Sequence, residues 1–251
     1  VTARLLSARA RSILHGKLEV EERQVSARTR KGLYIAAVVL VLAGSGFFFL
    51  TLGDVLQKDD LATLDEPVNS WFVDHRIAAA TVVMVVLATV FGPVVLPLVV
   101  VVVTAVWIFK ARHIWRPLLL AGAMSAGVVL AEVITHLVGR ARPPASAMLL
   151  GSDSTYSFPS GHVLGASDFL LVGAFVVFSR RRRPGPALAG FLAAGSGIAA
   201  QVISRLYLGY HWLTDALASV ALSLVVLGVV IALDTWRTAG VPKEPRAGPG
   251  P

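Results

Sequence analysis

The sequence predicts an all-α protein, a polytopic membrane bundle of six transmembrane helices with one further helix lying at the interface on the outer side. Three observations carry this reading. Of 251 residues 55% are hydrophobic and 15% charged, with a mean hydropathy of +0.72, too apolar for a domain that must cover itself in polar surface. Several apolar runs reach the roughly 20 residues that a helix needs to cross a hydrocarbon core. The basic residues gather at alternate ends of those runs, as the positive-inside bias requires.

Residues 1–31 are basic, with Arg4, Arg9, Arg11, Lys17, Arg23, Arg28, Arg30 and Lys31 against Glu19, Glu21 and Glu22, and read as a cytoplasmic interfacial segment. A targeting peptide is the alternative, but the basic stretch is long, contains acids and has no small-residue cleavage site after the apolar run. The membrane domain is expected over 32–237. Its first span is about Gly32 to Leu52. The following stretch carries Asp54, Asp59, Asp60, Asp65, Glu66 and Asp74 against Lys58 and Arg76, so it is expected outside, with Pro67 to Phe72 opening an interfacial helix whose Trp71 and Phe72 sit at headgroup depth.

The apolar region from Ile77 to Phe109 is too long for one span and is broken at Gly92-Pro93 and Pro97. Its first half reads as an outer, partly embedded helix and its second half, from about Val94, as the second span. Lys110, Arg112 and Arg116 mark an inner turn before a third span, Trp115 to Val138. A loop rich in Pro, Ser and Gly runs from Gly139 to Gly161. A fourth span, His162 to Phe178, ends at the four arginines 180–183; the fifth is Ala187 to Tyr207 and the sixth Trp212 to Leu233. From Thr238 onward Gly and Pro dominate, which predicts a disordered tail over 238–251. Of the 23 Lys and Arg residues only Lys58, Arg76, Arg140, Arg142 and Arg205 fall outside, so both termini are cytoplasmic in a multi-pass protein of the plasma membrane. The net charge of +8 is thereby a matter of orientation, and no nucleic-acid partner is implied. The absence of cysteine excludes disulfides, thiolate metal sites and a catalytic thiol.

Three polar clusters fall on the outer side of this topology. In Ser204-Arg205-Leu206-Tyr207-Leu208-Gly209-Tyr210-His211-Trp212-Leu213-Thr214-Asp215, a helix starting near His211 would put His211 and Asp215 on one face, so the carboxylate can hold one imidazole nitrogen and leave the other free. Arg205 offers a planar fork suited to a pair of phosphate or carboxylate oxygens. Taken alone, an i,i+4 His/Asp pair is equally a helix cap or a surface hydrogen bond. Two further clusters, Arg140-Ala141-Arg142-Pro143 and Phe158-Pro159-Ser160-Gly161-His162, argue for convergence, because scattered caps have no need to share one membrane face.

Arg142-Pro143, Pro159-Ser160-Gly161-His162, and Ser204-Arg205 followed by His211 and Asp215 resemble the three signature motifs of the type 2 phosphatidic acid phosphatase superfamily, over about residues 66–233. The resemblance implies a membrane phosphatase acting on phosphorylated lipids without cofactor or metal. His211 would attack phosphorus and form a phosphohistidine, Asp215 would fix its tautomer, and His162 would protonate the leaving oxygen and later activate water. Arg142 and Arg205 would clamp the phosphoryl oxygens, with Ser160 and the Gly161 N–H as neutral donors near a positive helix end. The first motif departs from the family at Thr135, where a lysine is expected. Arg140 is then a candidate replacement cation if its loop folds inward; His136 points about 100° away.

Glu132 and His136, four apart, could pair across one turn or approach Arg205 or Arg142, against a plain interhelical hydrogen bond, and Asp168, in the membrane interior, could partner an arginine of the site, though a structural pair is the more favoured reading. Tyr207, Tyr210 and Trp212 read as interface anchors. Candidate substrates under the resemblance are polyprenyl diphosphates, phosphatidic acid and phosphatidylglycerol phosphate. Transfer of the phosphoryl group to another acceptor, and a non-catalytic lipid-headgroup binder or transporter, are the alternatives on the same scaffold.

Overall fold

A computed structural model describes residues 23–181 and 184–241. Most of the basic N-terminal segment, Arg182, Arg183 and the tail from residue 242 lie outside the described residues. In chain order the elements are β1 (Arg23–Gln24), α1 (Ala27–Gln57), a 3-10 turn (Asp60–Leu64), α2 (Asp65–Asp74), α3 (Ala78–Val90), α4 (Val95–Lys110), α5 (Trp115–Val138), a second 3-10 turn (Ala145–Ala147), α6 (Gly161–Phe178), α7 (Pro184–Tyr207), α8 (Leu213–Thr238) and β2 (Ala239–Gly240). Five of these helices are each long and apolar enough to cross a membrane.

The bent pair α3 and α4, 52° apart, meets that test only as a unit, as a broken sixth span or a re-entrant loop. Neither half suffices alone, since at 1.5 Å per residue 13 or 16 residues reach at most about 24 Å. Helix α4, expected as the second span from about Val94, is too short to cross alone and passes the test only together with α3. The break is where Gly92-Pro93 lies, because Pro93 cannot donate to the preceding turn.

The other spans follow their sequence signals. Ser26 caps α1, its Oγ accepting from Thr29 N at 3.0 Å. The helix starts five residues before Gly32, so Arg28, Arg30 and Lys31 fall in its first turns. Helix α2 begins two residues before Pro67 and is a short helix of 10 residues. The α5 span occupies the predicted residues, 115–138, and buries a stripe of Leu120, Ala123, Met124, Gly127 and Ala131 at helical spacing. Thr238 to Gly240 are ordered, contrary to the disordered tail expected there: α8 runs through Thr238, and Ala239–Gly240 pair in parallel with Arg23–Gln24.

Helix α8 is the axis of the bundle, packed by α1, α6, α5 and α7. Small residues set its approach to α1. A Cβ on Gly44 would stand 2.6 Å from the Ala221 carbonyl oxygen, and one on Gly228 2.7 Å from that of Ala37, so the two backbones touch where only glycine fits. Apolar side chains on the outer faces, including Leu42, Phe49, Val101, Phe109 and Leu137, remain exposed, as a lipid-facing surface requires.

Candidate active site

The three sequence clusters meet at one end of the bundle, opposite the β1–β2 bridge. Helix α5 ends at Gly139 in the left-handed conformation (φ +62°), and the loop from Arg140 to Ser160 then crosses the bundle end. Its anchors are Ser157 N to the Arg140 carbonyl (2.9 Å), the Trp212 indole N–H to the Ala141 carbonyl (2.9 Å) and Leu149 N to the Leu208 carbonyl (3.1 Å). Arg76, between α2 and α3, donates to the carbonyls of Tyr207 (2.9 Å) and Ala147 (2.6 Å), fastening this loop to the α7–α8 turn. Tyr207 and Tyr210 are buried in that turn rather than lying at a membrane interface: the Tyr207 hydroxyl bonds Ile77, and Leu150 N donates to the Tyr210 hydroxyl at 3.0 Å.

His211 is 2% exposed in this turn, and α8 starts only at Leu213, two residues later than a helix opening at His211. Its Nδ1 lies 2.9 Å from the Ser157 carbonyl oxygen, with Asp215 Oδ2 flanking at 3.5 Å. A carbonyl can only accept, so Nδ1 carries the proton and Nε2 bears the lone pair. The expected His–Asp contact is therefore the longer of two, and the backbone of the Arg140–Ser160 loop shares in fixing the tautomer. Arg142 Nη1 stands 3.1 Å from that Nε2, and also donates to the Tyr210 carbonyl at 2.7 Å. The rest of its fork holds Thr155 Oγ1 (2.9 and 3.2 Å) and Asp153 (3.3 Å). Burial pulls the His211 imidazole from 6.5 down to about 4, with Asp215 opposing and Arg205 and Arg142 adding to the depression. The ring is thus neutral at ordinary pH.

Arg205, 5% exposed at the end of α7, has its guanidinium 4.9 Å from the Tyr210 ring centroid, and its Nε has no hydrogen-bond partner. His162, in the first turn of α6, lies within charge-interaction range of Arg205, His211 and Arg142. The bare elbow between α3 and α4 borders it: a Cβ on Gly92 would stand 3.7 Å from His162 Nε2. Ser160 is fully buried and caps α6, its Oγ accepting from Val163 N, which leaves its O–H to donate. Gly161 follows as the first helical residue, its N–H without an intrahelical acceptor and open space where a Cβ would be.

The remaining expectations are corrected. Arg140 does not turn into the pocket as a substitute for the missing lysine. It donates to Asp215 Oδ1 and Asp65 Oδ2 at 2.5 Å each and to Thr214 Oγ1 at 2.7 Å, because two carboxylates lie on its side of the loop. Glu132 and His136 are about 70% exposed and pair with each other at 3.8 Å; they reach neither Arg142 nor Arg205, since they lie off the buried stripe of α5. Thr135 is half-buried beside that stripe. Asp168 meets no arginine: it is fully buried against Gly127 of α5, with the Ser223 hydroxyl of α8 as its neighbouring hydrogen-bonding group.

Sequence reasoning missed Asp65, Asp153, Thr155 and the Ser157 carbonyl. Asp65 is one of six acids in its stretch and nothing in the spacing singles it out. A backbone carbonyl leaves no sequence signal at all.

A model of the PAP2 superfamily matches residues 116–239. Phosphatidylglycerophosphatase B of Bacillus subtilis (strain 168) is 27% identical over 194 residues, covering 74% of this chain and 91% of that protein. The crystal structure described as the first transmembrane PAP2 type phosphatidylglycerolphosphate phosphatase from Bacillus subtilis superposes with a TM-score of 0.68 at 25% identity, covering 76% of this chain and 96% of that one. Motif spacing, a helical fold matching that structure and the matched segment agree: this chain is a member of the PAP2 superfamily.

Proposed function

We propose that the protein is a membrane phosphatase that hydrolyses lipid phosphate or diphosphate esters through a phosphohistidine on His211, without a metal ion. The observation that carries this is the presentation of His211: a buried, neutral imidazole whose Nδ1–H is held by Ser157 and Asp215 and whose Nε2 lone pair faces cationic groups. That nitrogen attacks phosphorus, the P–O bond to the lipid breaks, and His162 donates a proton to the departing oxygen. Arg142, Arg205, the Ser160 O–H and the Gly161 N–H balance charge on the equatorial oxygens. Water then attacks phosphorus, His162 takes its proton, the P–N bond breaks, and inorganic phosphate leaves with His211 restored. The bare elbow at Gly92, where a Cβ would stand 3.7 Å from His162 Nε2, supports a path for the lipid leaving group toward the α3–α4 pair.

The name of the Bacillus relative supports phosphatidylglycerol phosphate as the first substrate to test. The bias of basic residues supports a site on the outer face with both termini cytoplasmic. The test is phosphate release, in chelator, from phosphatidylglycerol phosphate, phosphatidic acid and a polyprenyl diphosphate by wild type and His211→Ala. Release by wild type only, unaffected by chelator, is expected. Equal release by the variant overturns the reading, and so does release that requires an added acceptor alcohol.

A further inference from the structure

Asp65 lies outside the stretch matched by the superfamily, in the first turn of α2, yet it is 3% exposed and reaches the start of α8. Its Oδ1 accepts from Thr214 N at 3.0 Å; its Oδ2 accepts from Thr214 Oγ1 at 2.7 Å and from Arg140 Nη2 at 2.5 Å. The other arm of Arg140 donates to Asp215 Oδ1, while Asp215 Oδ2 accepts from Trp212 N at 2.9 Å and flanks the His211 Nδ1. One guanidinium thus bridges two carboxylates, and only one of them faces the imidazole.

The charges make this more than a brace. Paired with Asp215 alone, Arg140 would cancel the carboxylate that stands beside His211, in a pocket already holding the Arg142 and Arg205 cations. Asp65 supplies a second negative charge, so the trio keeps a net −1 and His211 still meets an anion. We infer that Asp65 is a positioning residue of the phosphatase: by compensating Arg140 and seating the first turn of α8, it keeps Asp215 able to stabilise the imidazolium that forms as His211 takes the phosphoryl group. The inference rests on the reading of His211 as nucleophile.

Three variants test it: Asp65→Asn, Arg140→Met and the two together, assayed for kcat, KM and phosphoenzyme trapped by a base quench. Asp65→Asn lowers kcat about tenfold with KM within about twofold, because the charge acts on the transferring group and not on lipid binding. The double variant again leaves Asp215 as the single net charge, so it is faster than Asp65→Asn. A merely structural role gives the opposite, losses that multiply. Wild-type kcat in Asp65→Asn, or a double variant no faster than Asp65→Asn, overturns the inference. If Asp65→Asn is not recovered folded, the double variant against wild type decides alone: a kcat within about threefold of wild type is expected, and a loss of about tenfold or more counts against it. Failure of the underlying reading looks different: wild type then turns over with no phosphoenzyme that disappears in His211→Asn.

Discussion

Arg142 Nη1 stands 3.1 Å from His211 Nε2, a donor laid against the nitrogen proposed to attack phosphorus. The other donors of Arg142 are already taken by Thr155, Asp153 and the Tyr210 carbonyl. A phosphoryl group arriving between the two replaces this contact with one from Nη1 to a phosphoryl oxygen. Arg142→Ala therefore uncovers the nucleophile but removes the clamp, and kcat/KM for a lipid phosphate falls by about 10²-fold, read from initial phosphate release.

Protonation of His211 gives a pH signature. Its folded value near 4 lies below the ordinary 6.5, with burial the leading cause, so the acid limb of kcat/KM that belongs to the nucleophile sits near pH 4. The same depression is a stability term. Above pH 6.5 it is without cost; as pH falls from 6.5 to 4 the unfolded chain takes a proton that the folded chain refuses, and stability declines by about 3 kcal/mol. Thermal melts across this window should show Tm falling with pH, and the slope should be shallower in His211→Gln.

Arg205 is buried with an unpartnered Nε, a cation prepared for an anion. Arg205→Lys keeps the charge but loses the planar fork and the stacking on Tyr210. Competitive inhibition by inorganic phosphate should weaken by about tenfold or more, with Tm little changed.

Two glycines separate folding from catalysis. At Gly209, φ is +79° and a Cβ would overlap the Ala147 carbonyl oxygen at 2.0 Å, so Gly209→Ala should cost about 3 kcal/mol and lower Tm and activity together. At Gly161 a Cβ meets nothing. Gly161→Ala should leave Tm within about 2 °C while its methyl group, beside the α6 N–H groups, reduces turnover.

The spans and the motif residues were readable because they rest on one-dimensional signals. Apolar runs ended by basic clusters placed α5 to the residue, and fixed spacings named His162, Arg142, Arg205 and His211, which the fold brings together. The misreadings have a common cause, which is that sequence gives neighbours along a helix but not the direction the helix faces. Glu132 and His136 were placed as a pair correctly and as site residues wrongly, because the buried stripe of α5 passes through Ala131 instead. Arg140 was seen as a loose cation because its true partner, Asp65, lies 75 residues away on a separate element.

The two longest helices are tied across both ends. At one end Arg23–Gln24 pair with Ala239–Gly240; at the other Asp65, which follows α1, bonds Thr214 at the head of α8. Between them, Gly44 and Gly228 press backbone against backbone. Such a double tether opposes a piston stroke of one rod along its neighbour and keeps the turn that carries His211 in register with α1. The α3–α4 pair has no comparable tie between its halves: it is bent by 52° where Gly92 lies, and that elbow borders His162.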